Sequence, residues 1–314
     1  VKTRFIFNPC SGRHRRNRGV LPMLKAFIGE RAIDASIFST EGPGHATELA
    51  RDAVLGGCLR VVAVGGDGTV NEVAQALIDT PASLGLVPCG SGNGLALHLG
   101  LPRTLAGALD VAAGPSGRVA EIDTGTANGF VFVNAMGLGL DAEVAKRFNG
   151  LVRRGLPAYA RTALSAFLGR RSERCTVICG HEREEMEVVL VAVGNSDQYG
   201  NNARIAPDAR VDDGLLDLVA VRPVGLLAAG VLGARLFLGS IDRSARVRRM
   251  KGARFVIERP AAGIIHTDGE THVTGAIVEV AVRPRSLRLA VHPGCGALSS
   301  LESRAAAGFA LLLP

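Results

Sequence analysis

The chain has 314 residues, 47% of them hydrophobic, and a formal net charge of +7. That much apolar material at that length excludes a disordered protein and suits two domains better than one. The positive balance points to an acidic partner such as a nucleotide or an anionic lipid, while an aromatic content of 4% with no tryptophan argues against nucleic acid as a partner.

Up to about residue 122, short β-branched runs alternate with helical periods. Phe5 to Phe7, Ser36 to Phe38, Val61 to Val64 and Leu84 to Val87 read as strands. Val70, Val73, Ala74, Leu77 and Ile78 fall on one face of the helix after the third strand. Strand-helix alternation predicts an α/β domain with a doubly wound parallel sheet, whose ligands bind beyond the carboxyl ends of its strands. After Asp123 the pattern becomes mostly β: Phe130 to Val133, Thr176 to Cys179, Val188 to Val193, Leu215 to Val221, Phe255 to Ile257 and Ile277 to Val282. With no long linker between the two halves, a cleft between two packed domains is expected to hold the site.

The longest apolar run, Leu226 to Leu238, is interrupted by Arg235 and is shorter than the roughly 20 residues of a membrane span. The opening residues lack a signal-peptide pattern, so a cytoplasmic location is expected. The six cysteines contain no C-x-x-C pair, which speaks against a zinc ribbon or a disulfide framework. Two of them, Cys10 and Cys89, lie in loops after neighbouring strands, where modification could block a ligand. The apolar tail from Ala305 to Leu313 reads as core packing or disorder.

Each strand end in the first half carries a loop suited to phosphate: Asn8-Pro9-Cys10-Ser11-Gly12, Ser39-Thr40-Glu41-Gly42, Gly65-Gly66-Asp67-Gly68-Thr69-Val70-Asn71 and Pro88-Cys89-Gly90-Ser91-Gly92-Asn93-Gly94. Singly, each could be an ordinary turn. Four on one sheet edge make an anion site, because glycines let backbone N–H groups close around a phosphate at a helix N-terminus. Asp67 is out of place there, since a carboxylate repels phosphate. A magnesium ion between Asp67 and the phosphate would reconcile the two. Phosphoryl transfer also needs a base for the attacking hydroxyl.

These motifs, with Asp212-Asp213-Gly214-Leu215-Leu216-Asp217 and Asp268-Gly269-Glu270, resemble the diacylglycerol kinase catalytic family, which includes bacterial lipid kinases, sphingosine kinases and ceramide kinases. The resemblance runs over roughly residues 3 to 293. It implies an ATP-binding domain of residues 1–122 joined by a returning segment 287–314, and a sandwich-like lipid-substrate domain of residues 123–286. It also implies ATP and Mg2+ as cofactors and a lipid hydroxyl as acceptor. Asn8, Ser11, Gly12, Thr40, Gly65, Gly66, Asp67, Gly68, Thr69, Val70, Asn71, Ser91, Gly92 and Asn93 would bind ATP. Glu270 would act as catalytic base beside Asp67, and Asp67 and Asp123 would serve the metal. A second cation is expected on the backbone of Arg210 and Leu215 and the carboxylate of Asp213. Where many bacterial relatives have an aspartate, this chain has Gly94, and its loop looks more like the sphingosine-kinase form Gly-Ser-Gly-Asn-x-Leu-Ala, which leaves the acceptor lipid open. A soluble-acceptor kinase of the NAD-kinase type and a non-catalytic nucleotide- or lipid-binding regulator are the alternatives. His266 and His272 flank the last motif without a third ligand at metal spacing.

A kinase for an insoluble substrate must dock reversibly on an anionic membrane surface. Lys146, Arg147, Arg153, Arg154, Arg161, Arg170 and Arg171, interleaved with apolar residues and no acids, are expected to do this. A second basic run, Arg243 to Arg254, stays open, as does a homodimer.

Overall fold

The computed structural model describes residues 1–12, 19–149, 156–169, 172–296 and 298. Arg153, Arg154, Arg170, Arg171 and the tail from Ala305 to Leu313 lie outside the described residues. The chain divides into two units, Val1–Ile122 with Arg285–Leu298, and a second from Asp123 to Pro284.

The first unit begins with β1 (Thr3–Phe7), α1 (Val20–Glu30), β2 (Ala35–Ser39), α2 (His45–Leu55), β3 (Arg60–Gly65), α3 (Asp67–Leu77) and β4 (Ser83–Pro88). The short α4 (Gly94–His98) and α5 (Leu105–Ala113) follow, and β5 (Arg118–Ala127) leads out. The sheet order is β2-β1-β3-β4 with every pair parallel. Period-two alternation sends Phe5, Phe7, Val62 and Val64 to one face, against Val20, Leu24 and Phe27 of α1 and Ala108, Leu109 and Ala112 of α5. Ile6, Val61 and Ala63 are buried on the opposite side, where α2 packs on α3. Burial on both faces is why these strands read as continuous apolar runs. The order also brings the loops after β1, β3 and β4 side by side, since β3 pairs with both β1 and β4.

The second unit contains β6 (Phe130–Phe132), β7 (Ala135–Gly139), α6 (Leu140–Asn149), α7 (Leu156–Leu168), β8 (Glu173–Cys179), β9 (Glu182–Val188), β10 (Leu190–Gly194) and β11 (Leu216–Val221). After these come α8 (Leu226–Leu238), a 3-10 turn (Ile241–Arg243), β12 (Val247–Gly252), β13 (Arg254–Glu258), β14 (Gly263–Thr267), β15 (Glu270–Thr274) and β16 (Ile277–Val291). An antiparallel sheet of order β12-β11-β10-β7-β14-β15 faces a second sheet in which β16, β13, β8 and β9 are neighbours. Met136, Leu138, Val191, Val193, Leu216, Leu218 and Ile265 from the first interleave with Val177, Met186, Val188, Phe255, Ile257 and Val280 from the second. This is a β-sandwich core.

Two of the expected strands need correction. Val188 to Val193, read as one strand, is the end of β9 and most of β10, which lie in different sheets. The break is at Val189, whose N–H donates to Val221 O. A uniform apolar run carries no signal for a corner. The strand begun at Ile277 does not stop at Val282 but continues to Val291. Its first half pairs with β13 and its last residues pair in parallel with β4, so it carries the chain back to the first unit.

Candidate functional site

In the first unit, three loops are held together by named hydrogen bonds. Asn8 Nδ2 donates to Thr69 Oγ1 at 3.0 Å, and Ser11 Oγ accepts from the Gly66 N–H at 3.2 Å. Asn93, in the left-handed region at φ 53°, folds back on its own loop: its Oδ1 accepts from Gly90 N and its Nδ2 donates to Gly90 O, both at 3.0 Å. The Gly65–Gly68 and Gly90–Gly94 loops touch backbone to backbone. A Cβ on Gly90 would lie 2.5 Å from Gly66 Cα, so no side chain fits. Thr40 enters this edge from β2, its N–H donating to Phe7 O at 2.9 Å, while Gly12 and Ser91 are exposed.

Asp67 closes the arrangement. Its Oδ2 accepts from Asn93 N at 2.7 Å and its Oδ1 from Gly94 N at 2.6 Å. The carboxylate at the start of α3 therefore sits on two backbone donors of the neighbouring loop. α3 has Gly66 as its N-cap with no side-chain cap. Its first-turn N–H groups, which have no acceptor within a helix, point to the same edge with the positive end of the helix dipole. Val70 is half-buried and Asn71 is buried, its Oδ1 accepting from Gln75 Nε2. A phosphate fits the donor chemistry of this cradle. A magnesium ion carried with it fits the remaining acceptor capacity of Asp67, since each carboxylate oxygen has more than one lone pair.

Cys10 is exposed, and burial pushes the Cys89 thiol up to about 11. Cys89 is accordingly protonated at neutral pH and a poor nucleophile.

In the second unit, Asp268 and Gly269 are the two central residues of the β14–β15 hairpin, with φ of 49° and 90°. Positive φ at both is what a type I′ turn requires and what Asp-Gly supplies. The acids of this turn have different fates. The Asp268 carboxylate accepts from the N–H groups of Val133, Asn134 and Ala135 at 2.7, 2.9 and 3.0 Å, so it clamps the hairpin to the β6–β7 junction. Glu270 opens β15 opposite Thr267 and is exposed. The sequence did not signal this division of labour, because a carboxylate's partners here lie over 130 residues away.

Asp123 is 1% exposed. Its Oδ2 accepts from Gly214 N at 2.7 Å and its own N–H donates to Val211 O at 2.6 Å, which fixes the loop from Arg210 to Leu215. Within that loop Asp213 Oδ1 accepts from Leu215 N at 3.0 Å, and Asp213 Oδ2 lies 2.8 Å from Lys251 Nζ. Lys251 also lies 3.4 Å from the buried Asp217. Burial opposes the Lys251 charge, but the hydrogen bond to Asp213 and the fields of both carboxylates outweigh it and raise its pKa. Burial raises the Asp217 pKa against the pull of Lys251 and Arg249. The cation expected on Asp213 thus meets a carboxylate already paired with an ammonium group. A metal at Arg210, Asp213 and Leu215 would compete with the Lys251 ammonium group for Asp213. Among the described residues, no group of three or more His, Cys, Asp or Glu side chains could hold a metal ion.

Two features had no reading in the sequence, and a third, the histidine pair, was read only as lacking a third metal ligand. Glu72 Oε2 accepts from Ala46 N at 3.0 Å, capping α2, whose own N-cap Gly44 offers no side chain. Asn195, Ser196 and Gln198 are almost fully buried. Asn195 Nδ2 donates to the carbonyls of Asp123 and Val133, and Ser196 Oγ to Asn134 Oδ1. This polar layer supports both Asp123 and the segment that Asp268 clamps. A polar run directly after an apolar strand was its only signal. Lastly, buried His266 accepts from Gly269 N at its Nδ1, 3.3 Å away, and its Nε2 lies 3.0 Å from Asp141 Oδ2 without the alignment of a hydrogen bond. Tyr199 OH donates to the same Asp141 oxygen at 2.5 Å. His272 faces Thr267 Oγ1 and stacks on Phe130, so the two histidines brace the hairpin instead of sharing a metal.

Comparison with known proteins agrees with this geometry. Residues 2–127 match the diacylglycerol kinase catalytic domain, and residues 134–291 match the YegS C-terminal NAD kinase beta sandwich-like domain. A probable lipid kinase YegS-like of Pseudomonas aeruginosa is 32% identical over 273 residues, covering 84% of this chain and 87% of its own. The chain belongs to the diacylglycerol kinase family. It is a lipid kinase. A diacylglycerol kinase of Bacillus subtilis is 29% identical over 232 residues, 72% of this chain and 75% of that one. The crystal structure of a putative diacylglycerol kinase from Bacillus anthracis superposes with a TM-score of 0.74 at 24% identity, covering 93% of this chain and 97% of that chain, which bears on the fold alone.

In this lipid kinase, Asp67→Asn puts an amide donor against one of the two loop N–H groups. We expect a loss of about 1–3 kcal/mol in denaturant unfolding, together with weaker ATP binding. Wild-type stability in this variant would mean that Asp67 does not anchor the loops. Lys251→Met is expected to cost about 1–3 kcal/mol, below the ~3–5 of a fully buried pair because Lys251 is half-exposed. Magnesium in excess should recover part of that loss by taking the vacated place between Asp213 and Asp217, as thermal melts would show.

Proposed function

We propose that the protein transfers the γ-phosphate of ATP to the hydroxyl of diacylglycerol or a sphingoid-type lipid, with the first unit binding nucleotide and the second the lipid. The observation that carries this reading is the glycine cradle at the uncapped N-terminus of α3, where Gly66 and Gly90 meet without room for a side chain. Backbone donors of Gly65–Asn71 and the loop around Ser91, Gly92 and Asn93 hold the phosphates, with Asn8, Ser11, Gly12 and Thr40 at the rim. Magnesium, when bound, would neutralise charge developing on the transferred group; Asp67 is its protein handle, and Asp123 orders the loop from Arg210 to Leu215.

Glu270 is the base. Exposed at the end of an I′ turn, it accepts the proton of the lipid hydroxyl as that oxygen bonds to the γ-phosphorus and the bond to the β,γ-bridging oxygen breaks, releasing ADP. Relatives named as lipid kinases favour a lipid over a soluble acceptor, and the presence of Glu270 favours catalysis over a regulatory role. No helix among the described residues is long and apolar enough to cross a membrane. The reading places the lipid on an anionic cytoplasmic membrane surface, reached peripherally.

Incubation with γ-labelled ATP, magnesium and a total lipid extract should label phosphatidic acid or a sphingoid phosphate; a labelled water-soluble product would overturn the lipid reading. In Glu270→Gln, turnover should fall by about 10²–10⁴-fold with ATP affinity kept. Unchanged turnover would remove Glu270 from the chemistry.

A further inference from the structure

A helix on a protein surface normally buries its apolar stripe and shows a polar face to water. α8 does not. Its sequence, LLAAGVLGARLFL, has Arg235 as its one charged residue. Leu232 is its one buried side chain, packed with Ile205, Val219 and Ile241, and Ala229 and Leu236 lie beside it. The outward face is as apolar as the inward one: Leu226 is 56% exposed, Leu227 89%, Val231 57%, Phe237 42% and Leu238 78%. At roughly 100° per residue, these five with Gly230 and Ala234 fill an arc of about 140° that contains no polar side chain. Arg235 falls just beyond its border.

Contiguous apolar exposure of this kind marks a binding surface. The charges around it indicate the partner. In the basic run from Arg243 to Arg254, Arg248 pairs with Glu182 and Glu184, Arg249 with Asp208, Asp217 and Asp242, Lys251 with Asp213 and Asp217, and Arg254 with Glu279. Arg243 and Arg246 are exposed and have no ion pair among the described residues. Both flank α8, Arg243 through the 3-10 turn that packs on it, and Arg246 through its carbonyl, which accepts from Arg222 N just before the helix. The nearby acids Asp242 and Glu184 are spent on Arg249, Arg248 and Arg222, so the charge left over is positive.

An all-apolar helical face bordered by arginines without an ion pair among the described residues matches a helix lying in the headgroup region of a bilayer, apolar side down and cations at the anionic surface. We propose that α8 is the element by which this protein docks on an anionic membrane, with Leu227, Val231 and Leu238 entering the acyl boundary and Arg243 and Arg246 meeting lipid phosphates. The choice of a membrane as occupant rests on the lipid acceptor of the proposed reaction.

The test is sedimentation of the full chain with phosphatidylcholine vesicles containing phosphatidylglycerol, without ATP or acceptor. Leu227→Glu/Val231→Glu should lower the bound fraction at least ten-fold, and Arg243→Glu/Arg246→Glu should lower it on these vesicles. The melting temperature, and turnover on a short-chain acceptor dispersed in water, should stay at wild-type values. Wild-type sedimentation of both variants would overturn the proposal. So would a wild-type dimer that the Glu variants split into monomers without changing vesicle binding, which would assign the face to a second copy. If vesicle binding is lost as expected but no lipid is phosphorylated by the wild type, the docking surface stands and the kinase reading falls.

Discussion

The first unit depends on bringing two backbones into contact at Gly66 and Gly90. Parallel pairing of β3 with β4 sets the two loops side by side, and only residues without a Cβ let them close. Contact alone would leave amides of the fourth loop without acceptors. Asp67 supplies them, one carboxylate oxygen to Asn93 N and the other to Gly94 N. A carboxylate at the start of a helix in a glycine-rich loop is therefore not out of place: it accepts from donors of the neighbouring loop.

The second unit uses aspartate in the same way. Asp268 accepts from the N–H groups of Val133, Asn134 and Ala135, and Asp123 from that of Gly214, each joining segments distant in sequence. Short acidic side chains suit this work because they reach backbone amides with little rotamer entropy to lose, and a charged acceptor makes the stronger hydrogen bond. With Asp268 turned inward, the type I′ geometry leaves Glu270 as the exposed acid of the hairpin. In the same sheet an ammonium group, Lys251 of β12, balances Asp213 and Asp217.

Pairing also separates residues of the same type into different roles. Of six basic side chains between Arg243 and Arg254, four are tied to carboxylates and serve the sandwich. Two remain beside a helix whose outer face is apolar. Ordinary surface pairs contribute little to stability, but they decide which charges are left for a partner.

Local patterns in the sequence were enough for the alternating α/β half, the mostly β half, the glycine-rich loops at the strand ends and the Asp-Gly hairpin. Each rests on short-range chemistry: a period of two or 3.6, or glycines where backbone must approach closely. The run Leu226 to Leu238 was legible as too short to span a membrane, but not as a helix apolar on both sides, because hydrophobicity has no direction until one face is packed. Partners far apart in the chain were closed to that reading. That Asp67 would meet residues 93 and 94, that Asp268 would be spent on residues 133 to 135, and that Lys251 would pair with Asp213 were decided by the tertiary structure. A carboxylate looks the same in sequence whether it will hold a metal, take a proton or accept backbone amides; the groups that folding brings within 3 Å of it make the difference.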